Sequence, residues 1–278
     1  CTFENNLFLI MGLEMVKSEF SIKNKRLDTL GYDPQTKSFV IIEYKRDRNS
    51  SVVDQGFTYL NLMLQNKADF ILEYNECLKK SLKREDVDWS QTRVAFVSQS
   101  FTENQREATN FKDIAIELWE VKQYQGGIVS INQIKKGNAA ENIKFLTNVN
   151  IELQNITKEI KVYTEEDHLL NKPDETVELY EKFKEAILNL SPDIEIKPQK
   201  GYIAFKNNRT NISDIEIQKH AIKLSVNLKK GNLDDPKNLM RDVSVLKGHS
   251  LNGDYELQIK DDLNLEYIMS LVKQALLF

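Results

Sequence analysis

Residues 38–45, Ser-Phe-Val-Ile-Ile-Glu-Tyr-Lys, constrain the fold more than any other stretch. They are β-branched, aromatic and mostly apolar, which predicts a strand. The segment before them, Gly31 to Lys37, contains Asp33-Pro34, a turn signal, and 26–31 (Arg-Leu-Asp-Thr-Leu-Gly) reads as a short strand. The two strands are therefore expected to form a hairpin. Arg46 to Ser50 reads as a charged, polar loop. After it, Ser51-Val52-Val53-Asp54 reads as a capping box, so a helix is expected from near Val52 to about Asn66.

Alternation along 38–45 places Phe39, Ile41, Glu43 and Lys45 on one face. Glu43 and Lys45 then stand roughly 6–7 Å apart and point the same way. With the turn centred between Gln35 and Thr36, residue i pairs with residue 71 − i, and Asp28 lies opposite Glu43. Two carboxylates and an ammonium would converge on one edge of the sheet. Facing carboxylates repel and need a partner to stay ionised. A hard cation supplies one, and Mg²⁺ is typically held by one or two carboxylates with water and phosphate. Such a metal polarises a phosphate and acidifies bound water. Lys45 is placed to orient the attacking water or to stabilise transition-state charge.

Gln55 and Tyr59 lie one helical turn apart and share a face. Gly56 lets that helix approach the sheet or a substrate closely. Glu4, on a helix expected over 3–13, is placed to add a carboxylate from the opposite side. The expected metal ligands are Asp28, Glu43 and Glu4. Taken singly, each of these residues has an ordinary reading as a turn carboxylate, a surface pair or a polar helix face. Taken together and in order, they point to a phosphodiester-cleaving site.

Asp28, Glu43-Tyr44-Lys45 and Gln55-Gly56-Phe57-Thr58-Tyr59 follow the pattern Asp, Glu-x-Lys, Gln-x3-Tyr. In this, residues 1–135 resemble the PD-(D/E)xK nuclease superfamily, in its NucS-like and RecB-like branch. Arg26-Leu27-Asp28-Thr29-Leu30-Gly31 is similar to the NucS-like branch, and Glu4-Asn5-Asn6-Leu7 resembles its upstream acidic helix segment. The resemblance implies an α/β (α+β) fold with a restriction-endonuclease-like core, a mixed sheet flanked by helices. It implies a Mg²⁺-dependent deoxyribonuclease, with Mn²⁺ as a substitute, acting in bacterial DNA repair or defence. The implied catalytic set is Asp28, Glu43, Lys45, Gln55, Tyr59 and Glu4. DNA is the implied partner. Lys25, Arg26, Arg46 and Arg48 flank the hairpin and are expected to contact its phosphates. The alternative is a non-catalytic nucleic-acid- or protein-binding module on the same fold. A binder, however, has no need of a carboxylate–lysine set. The N-terminal binding and dimerisation domain of NucS-type enzymes is absent from this sequence, so mismatch specificity is not implied.

Further along, 93–98 and 114–121 read as strands, 103–112 as a short helix, and 128–134 as a strand after Gly126-Gly127. Residues 68–82 are ambiguous between strand and helix. The pattern weakens over 136–174, which reads as a linker. A second domain is expected over 175–278, with helices at 175–190 and 264–277 and strand-like segments at 194–197, 201–206, 215–228 and 254–260. It resembles a small α/β domain of unknown function that accompanies such nucleases and is sometimes labelled a predicted transport protein. Substrate recognition, homodimerisation and restraint of the nuclease are all open roles for it.

The net charge of −4 argues against binding through bulk positive charge, though a local basic patch and a metal do the same work. Cys1 and Cys77 form no spacing motif, and His168, His220 and His249 have no zinc-ligand spacing. No glycine-rich phosphate loop is present, which excludes the common NTPase motif. No apolar run approaches the roughly 18 residues of a membrane span, and no signal peptide is apparent. A reducing, cytoplasmic setting is expected. The chain starts at Cys1 rather than Met, so an upstream segment is expected.

Overall fold

The structure is a computed structural model of the chain. It describes residues 2–46, 51–111, 114–137, 156, 159–208, 210–245 and 252–277. Its contacts divide it into two units, Cys1–Val162 and Tyr163–Phe278. The division falls inside the stretch read as a linker, most of whose first half lies outside the described residues.

The first unit is built on a six-stranded sheet in the order β1-β2-β3-β4-β5-β6. The strands are β1 (Glu14–Ile22), β2 (Lys25–Asp33), β3 (Ser38–Lys45), β4 (Arg93–Ser98), β5 (Ile116–Gln123) and β6 (Val129–Ile134). β1, β2 and β3 are antiparallel neighbours, β3, β4 and β5 are parallel, and β6 is antiparallel to β5. β3 is central because both its faces are apolar over most of its length, the mark of a strand covered on both sides. Phe39 and Ile41 pack in one core with Leu60 and Met63 of α3 (Val52–Gln65) and Phe70 of α4 (Lys67–Leu78). Val40 and Ile42 pack on the other side with Phe3 of α1 (Thr2–Asn5) and with Leu7 and Ile10 of α2 (Leu7–Met11). A fifth helix, α5 (Glu103–Ala108), lies between β4 and β5.

Where local chemistry is strong, sequence and structure coincide. β3 and β4 span the expected residues, and Ser51 Oγ accepts from Asp54 N at 3.2 Å to open α3. The β2–β3 register is 71 − i, from Asp33↔Ser38 to Thr29↔Ile42. Three details differ. The helix expected over 3–13 is two short helices on either side of Asn6. β2 runs from Lys25 to Asp33, longer than the 26–31 read, and it pairs along its length with β1, where polar Glu14 and Lys17 are held by α4 through Tyr74 and Glu73. The ambiguous stretch after Asn66 is helical, since Phe70 and Tyr74, one turn apart, bury the same face.

The second unit is a six-stranded antiparallel sheet in the order β11-β12-β10-β9-β8-β7. It follows α6 (Glu165–Leu169) and α7 (Asp174–Leu188), and its strands are β7 (Ile194–Pro198), β8 (Ile203–Asn207), β9 (Thr210–Ile217), β10 (Ile222–Val226), β11 (Arg241–Asp242) and β12 (Tyr255–Ile259). α8 (Leu265–Gln274) closes the chain. Tyr180, Phe183 and Ile187 of α7 and Leu271 and Val272 of α8 share a core with Phe205, Leu224 and Val226. The segment read as strand-like over 215–228 is parts of two strands with a turn between them. The fold is thus of the expected class, a mixed sheet flanked by helices and a second small α/β unit. Among the described residues no helix is long and apolar enough to cross a membrane.

Candidate active site

The β2–β3 ladder ends at Thr29↔Ile42. Beyond it β2 stays paired with β1, and β3 stays paired with β4, so the sheet forks. Asp28 and Glu43 are the first residues past the last rung. At the fork Asp28 Oδ2 accepts from Tyr44 N at 2.9 Å, so a side chain satisfies a backbone donor at the ladder's end. Residues opposite each other in an antiparallel pair point to the same face. Asp28 and Glu43 therefore follow Leu30 and Ile41 onto the face covered by α3.

α3 supplies the next layer. Gln55 Nε2 donates to Glu43 Oε1 at 2.8 Å, and Tyr59 Oη donates to Glu43 Oε2 at 3.2 Å. Gln55 Nε2 and Tyr59 Oη are themselves 2.8 Å apart. Lys45 Nζ donates to Gln55 Oε1 and lies 5.5 Å from the centre of the Phe96 ring. Glu43, Lys45, Gln55 and Tyr59 thus form one connected cluster, with Asp28 across the fork. Burial raises the Glu43 pKa above its ordinary value, and the Asp28 charge adds to this. Hydrogen bonds from Gln55 and Tyr59 and the charge of Lys45 oppose the shift without cancelling it. Burial pushes the Tyr59 and Tyr44 phenols up to about 12, so both are neutral hydrogen-bonding groups at physiological pH.

Glu4 reaches the sheet from the other side. Its carboxylate accepts from Thr29 Oγ1 at 2.5 Å and from Ser18 Oγ at 2.8 Å, and Thr29 points away from the Asp28 face. Among the described residues no group of three or more His, Cys, Asp or Glu side chains is gathered to hold a metal. The expected trio of Asp28, Glu43 and Glu4 is therefore not assembled. The reason is strand alternation, which sends neighbours 28 and 29 to opposite faces. Arg26 is exposed and pairs with Glu19 at 2.7 Å, Lys25 is exposed, and Arg46 is exposed at the end of β3. Arg48 lies outside the described residues. Sequence reasoning passed over Tyr44 and Thr29 as working parts. The x of Glu-x-Lys carries the backbone N–H that orients Asp28, and a side-chain motif gives no signal for it.

A protein of Haemophilus influenzae (strain ATCC 51907 / DSM 11121 / KW20 / Rd), titled uncharacterized protein, is 59% identical over 274 residues, covering 99% of this chain and 90% of its own length. The chain belongs to the family of that protein. Residues 165–278, nearly all of the second unit, match the family described as a domain of unknown function, DUF5655. Among solved structures, the crystal structure of a repair endonuclease from Pyrococcus abyssi matches over 38% of each chain at 20% identity, with a TM-score of 0.21. At that TM-score the likeness says nothing about function.

In this family member the donor set suits a hard divalent cation. Each carboxylate oxygen of Glu43 accepts one hydrogen bond and keeps a second acceptor position, and Asp28 adds a further carboxylate. One or two carboxylates suffice for Mg²⁺ when water and substrate oxygens complete the shell. Like charge across the fork, with Lys45 directed at Gln55 rather than at either carboxylate, gives such a cation electrostatic purchase.

Gly56 sets the distance of α3 from the sheet. A Cβ there would run into Ile116 Cδ1 and fall 2.9 Å from its Cγ1. Gly56→Ala is expected to destabilise the first unit by about 1–3 kcal/mol through overpacking. It should also lift the adjacent Gln55 away from Glu43 and Lys45. Urea unfolding checks the first effect, and the site's activity assay checks the second.

Proposed function

We propose that the first unit is a PD-(D/E)xK-type nuclease on a restriction-endonuclease-like core, hydrolysing phosphodiester bonds in DNA with Mg²⁺. The observation that carries this reading is the forked sheet, which sets Asp28 against Glu43 and ties Glu43 to Lys45 through Gln55. Asp28 and Glu43 would hold the cation. When bound, it would supply Lewis-acid activation of the phosphate and a more acidic water. The protein's own contribution is orientation. Tyr44 N fixes the Asp28 carboxylate, and Gln55 with Tyr59 fixes both oxygens of Glu43. Lys45 is held by the Gln55 carbonyl on the same face as Glu43, where its ammonium can stabilise charge on a phosphate oxygen. Bacterial repair or defence is the setting we infer for this activity.

The test is cleavage of labelled single-stranded, duplex and branched DNA with Mg²⁺, Mn²⁺ or EDTA, wild type beside Lys45→Ala. Metal-dependent cutting that is lost in the variant is expected. Absence of cutting with every metal and substrate, or full activity in Lys45→Ala, would overturn the reading. The same assay has a pH signature. Glu43 must be ionised to bind a cation, and its raised pKa delays ionisation beyond the ordinary value of 4.5. Cleavage should therefore rise with pH through the acidic range. Because metal competes with the proton, the rise should move to lower pH at higher Mg²⁺. A rise that stays fixed as Mg²⁺ is varied would remove Glu43 from the ligand set.

A further inference from the structure

The β1–β2 ribbon runs on past the fork. Its ladder extends from Glu14↔Tyr32 to Ile22↔Lys25, whereas the β2–β3 ladder stops at Thr29↔Ile42. The Lys23-Asn24 turn is therefore carried roughly 13 Å beyond the last β2–β3 rung, at the strand rise per residue. The ribbon is rigidly based. Phe20, Ile22 and Leu27 are buried in the core, and Phe20 meets Phe70 edge-on at 5.4 Å. Its tip is cationic and exposed, with Lys23, Asn24, Lys25 and Arg26 in solvent. Arg26 leans on Glu19 at 2.7 Å, with both side chains more than 60% exposed. Such a surface pair is worth little and is readily exchanged for a phosphate. On the other lip of the fork stand Lys45 and Arg46.

This shape discriminates between nucleic acids. A two-stranded ribbon fits the major groove of a duplex, and its cations meet the flanking phosphates. Single strands are instead held by aromatic side chains on which bases stack. The exposed tip carries no aromatic residue, and Phe20 faces the core. We propose that the β1–β2 tip is a duplex-DNA contact that makes double-stranded DNA the substrate of the candidate site. Its bearing on substrate rests on the nuclease reading, but the contact itself does not.

The experiment is fluorescence anisotropy of the whole chain in EDTA, with matched duplex and single-stranded oligonucleotides over a series of salt concentrations. Wild type is compared with Lys23→Gly/Lys25→Gln/Arg26→Gln. Lys23 sits at φ 54°, a left-handed conformation that glycine adopts freely, so the variant should relax the turn. A thermal melt verifies that it does. Wild type is expected to bind duplex at least about tenfold tighter than single strand. The variant should lose that preference, and its log–log salt slope for duplex should fall by about 2–3, one counterion term for each lost cation. Equal affinity for the two forms, no binding of either, or a variant that binds duplex like wild type would overturn the proposal. The assay involves no turnover. A protein that binds duplex through the tip and never cuts would sink the nuclease reading alone. One that cuts while ignoring the tip variant would sink this inference alone.

Discussion

Glu43→Gln is expected to lower cleavage by at least about 10³-fold, the scale of losing a principal electrostatic group in a site, while leaving the fold as stable or more stable. The two effects have one cause. An amide can replace both hydrogen bonds, with its oxygen accepting from Gln55 Nε2 and its nitrogen donating to Tyr59 Oη, so the cluster stays closed. What is lost is the negative charge. Burial and Asp28 raise the Glu43 pKa in the folded state, so the folded chain holds the proton more tightly than the unfolded chain does. Ionisation therefore costs stability as pH rises from the ordinary value of 4.5 through the raised one, and the full cost persists above it. Glutamine removes that cost. The melting temperature in EDTA should match wild type at low pH and equal or exceed it at neutral pH. A carboxylate kept only for structure would behave oppositely, with stability falling on substitution. Cleavage within about tenfold of wild type, or a lower melting temperature at neutral pH, would remove Glu43 from the centre of the site.

Much of this site was legible because its signals are local. The Asp-Pro turn and the alternation of 38–45 together set the 71 − i register, and that register alone puts Asp28 opposite Glu43. Ser51 announces α3, and the helical period then brings Gln55 and Tyr59 to the same carboxylate. The parts that were not legible depend on distant chain. Glu4 is claimed by Ser18 and Thr29, hydroxyls on two other elements that no spacing rule connects to it. The fork depends on β3 staying with β4 after its last rung with β2, and β4 is a parallel partner that arrives only after α3 and α4. In the second unit, β9 and β10 read as one segment because the turn between them, Gln218-Lys219-His220-Ala221, contains neither glycine nor proline.

Arg93→Leu is expected to destabilise the first unit by about 3–5 kcal/mol, the usual result of removing one partner from a buried ion pair. The Arg93 side chain, 11% exposed at the start of β4, lies 2.9 Å from Asp33 Oδ2 and 3.0 Å from Glu117 Oε1. Asp33 also accepts from Gln35 N at 2.9 Å and Thr36 N at 3.2 Å, so it holds the hairpin turn as well. One guanidinium therefore joins the turn, β4 and β5. Leucine would take the guanidinium away from the buried Asp33 carboxylate and the partly buried Glu117 carboxylate, leaving less to offset their negative charge. The penalty should accordingly be largest at neutral pH and shrink as pH falls and the carboxylates take up protons. Adding Asp33→Asn and Glu117→Gln should recover part of the loss at neutral pH, because the negative charges that Arg93 offset are then removed. The effect should reach the far end of the hairpin. The turn sets the register that faces Asp28 to Glu43, so Arg93→Leu should reduce cleavage even at temperatures where the chain is still folded. Denaturant melts at neutral and acidic pH, with cleavage measured below the transition, check both parts. A loss smaller than about 1 kcal/mol, or one that grows toward acid, would mean that the Asp33–Arg93–Glu117 group is not what holds the turn to the parallel strands.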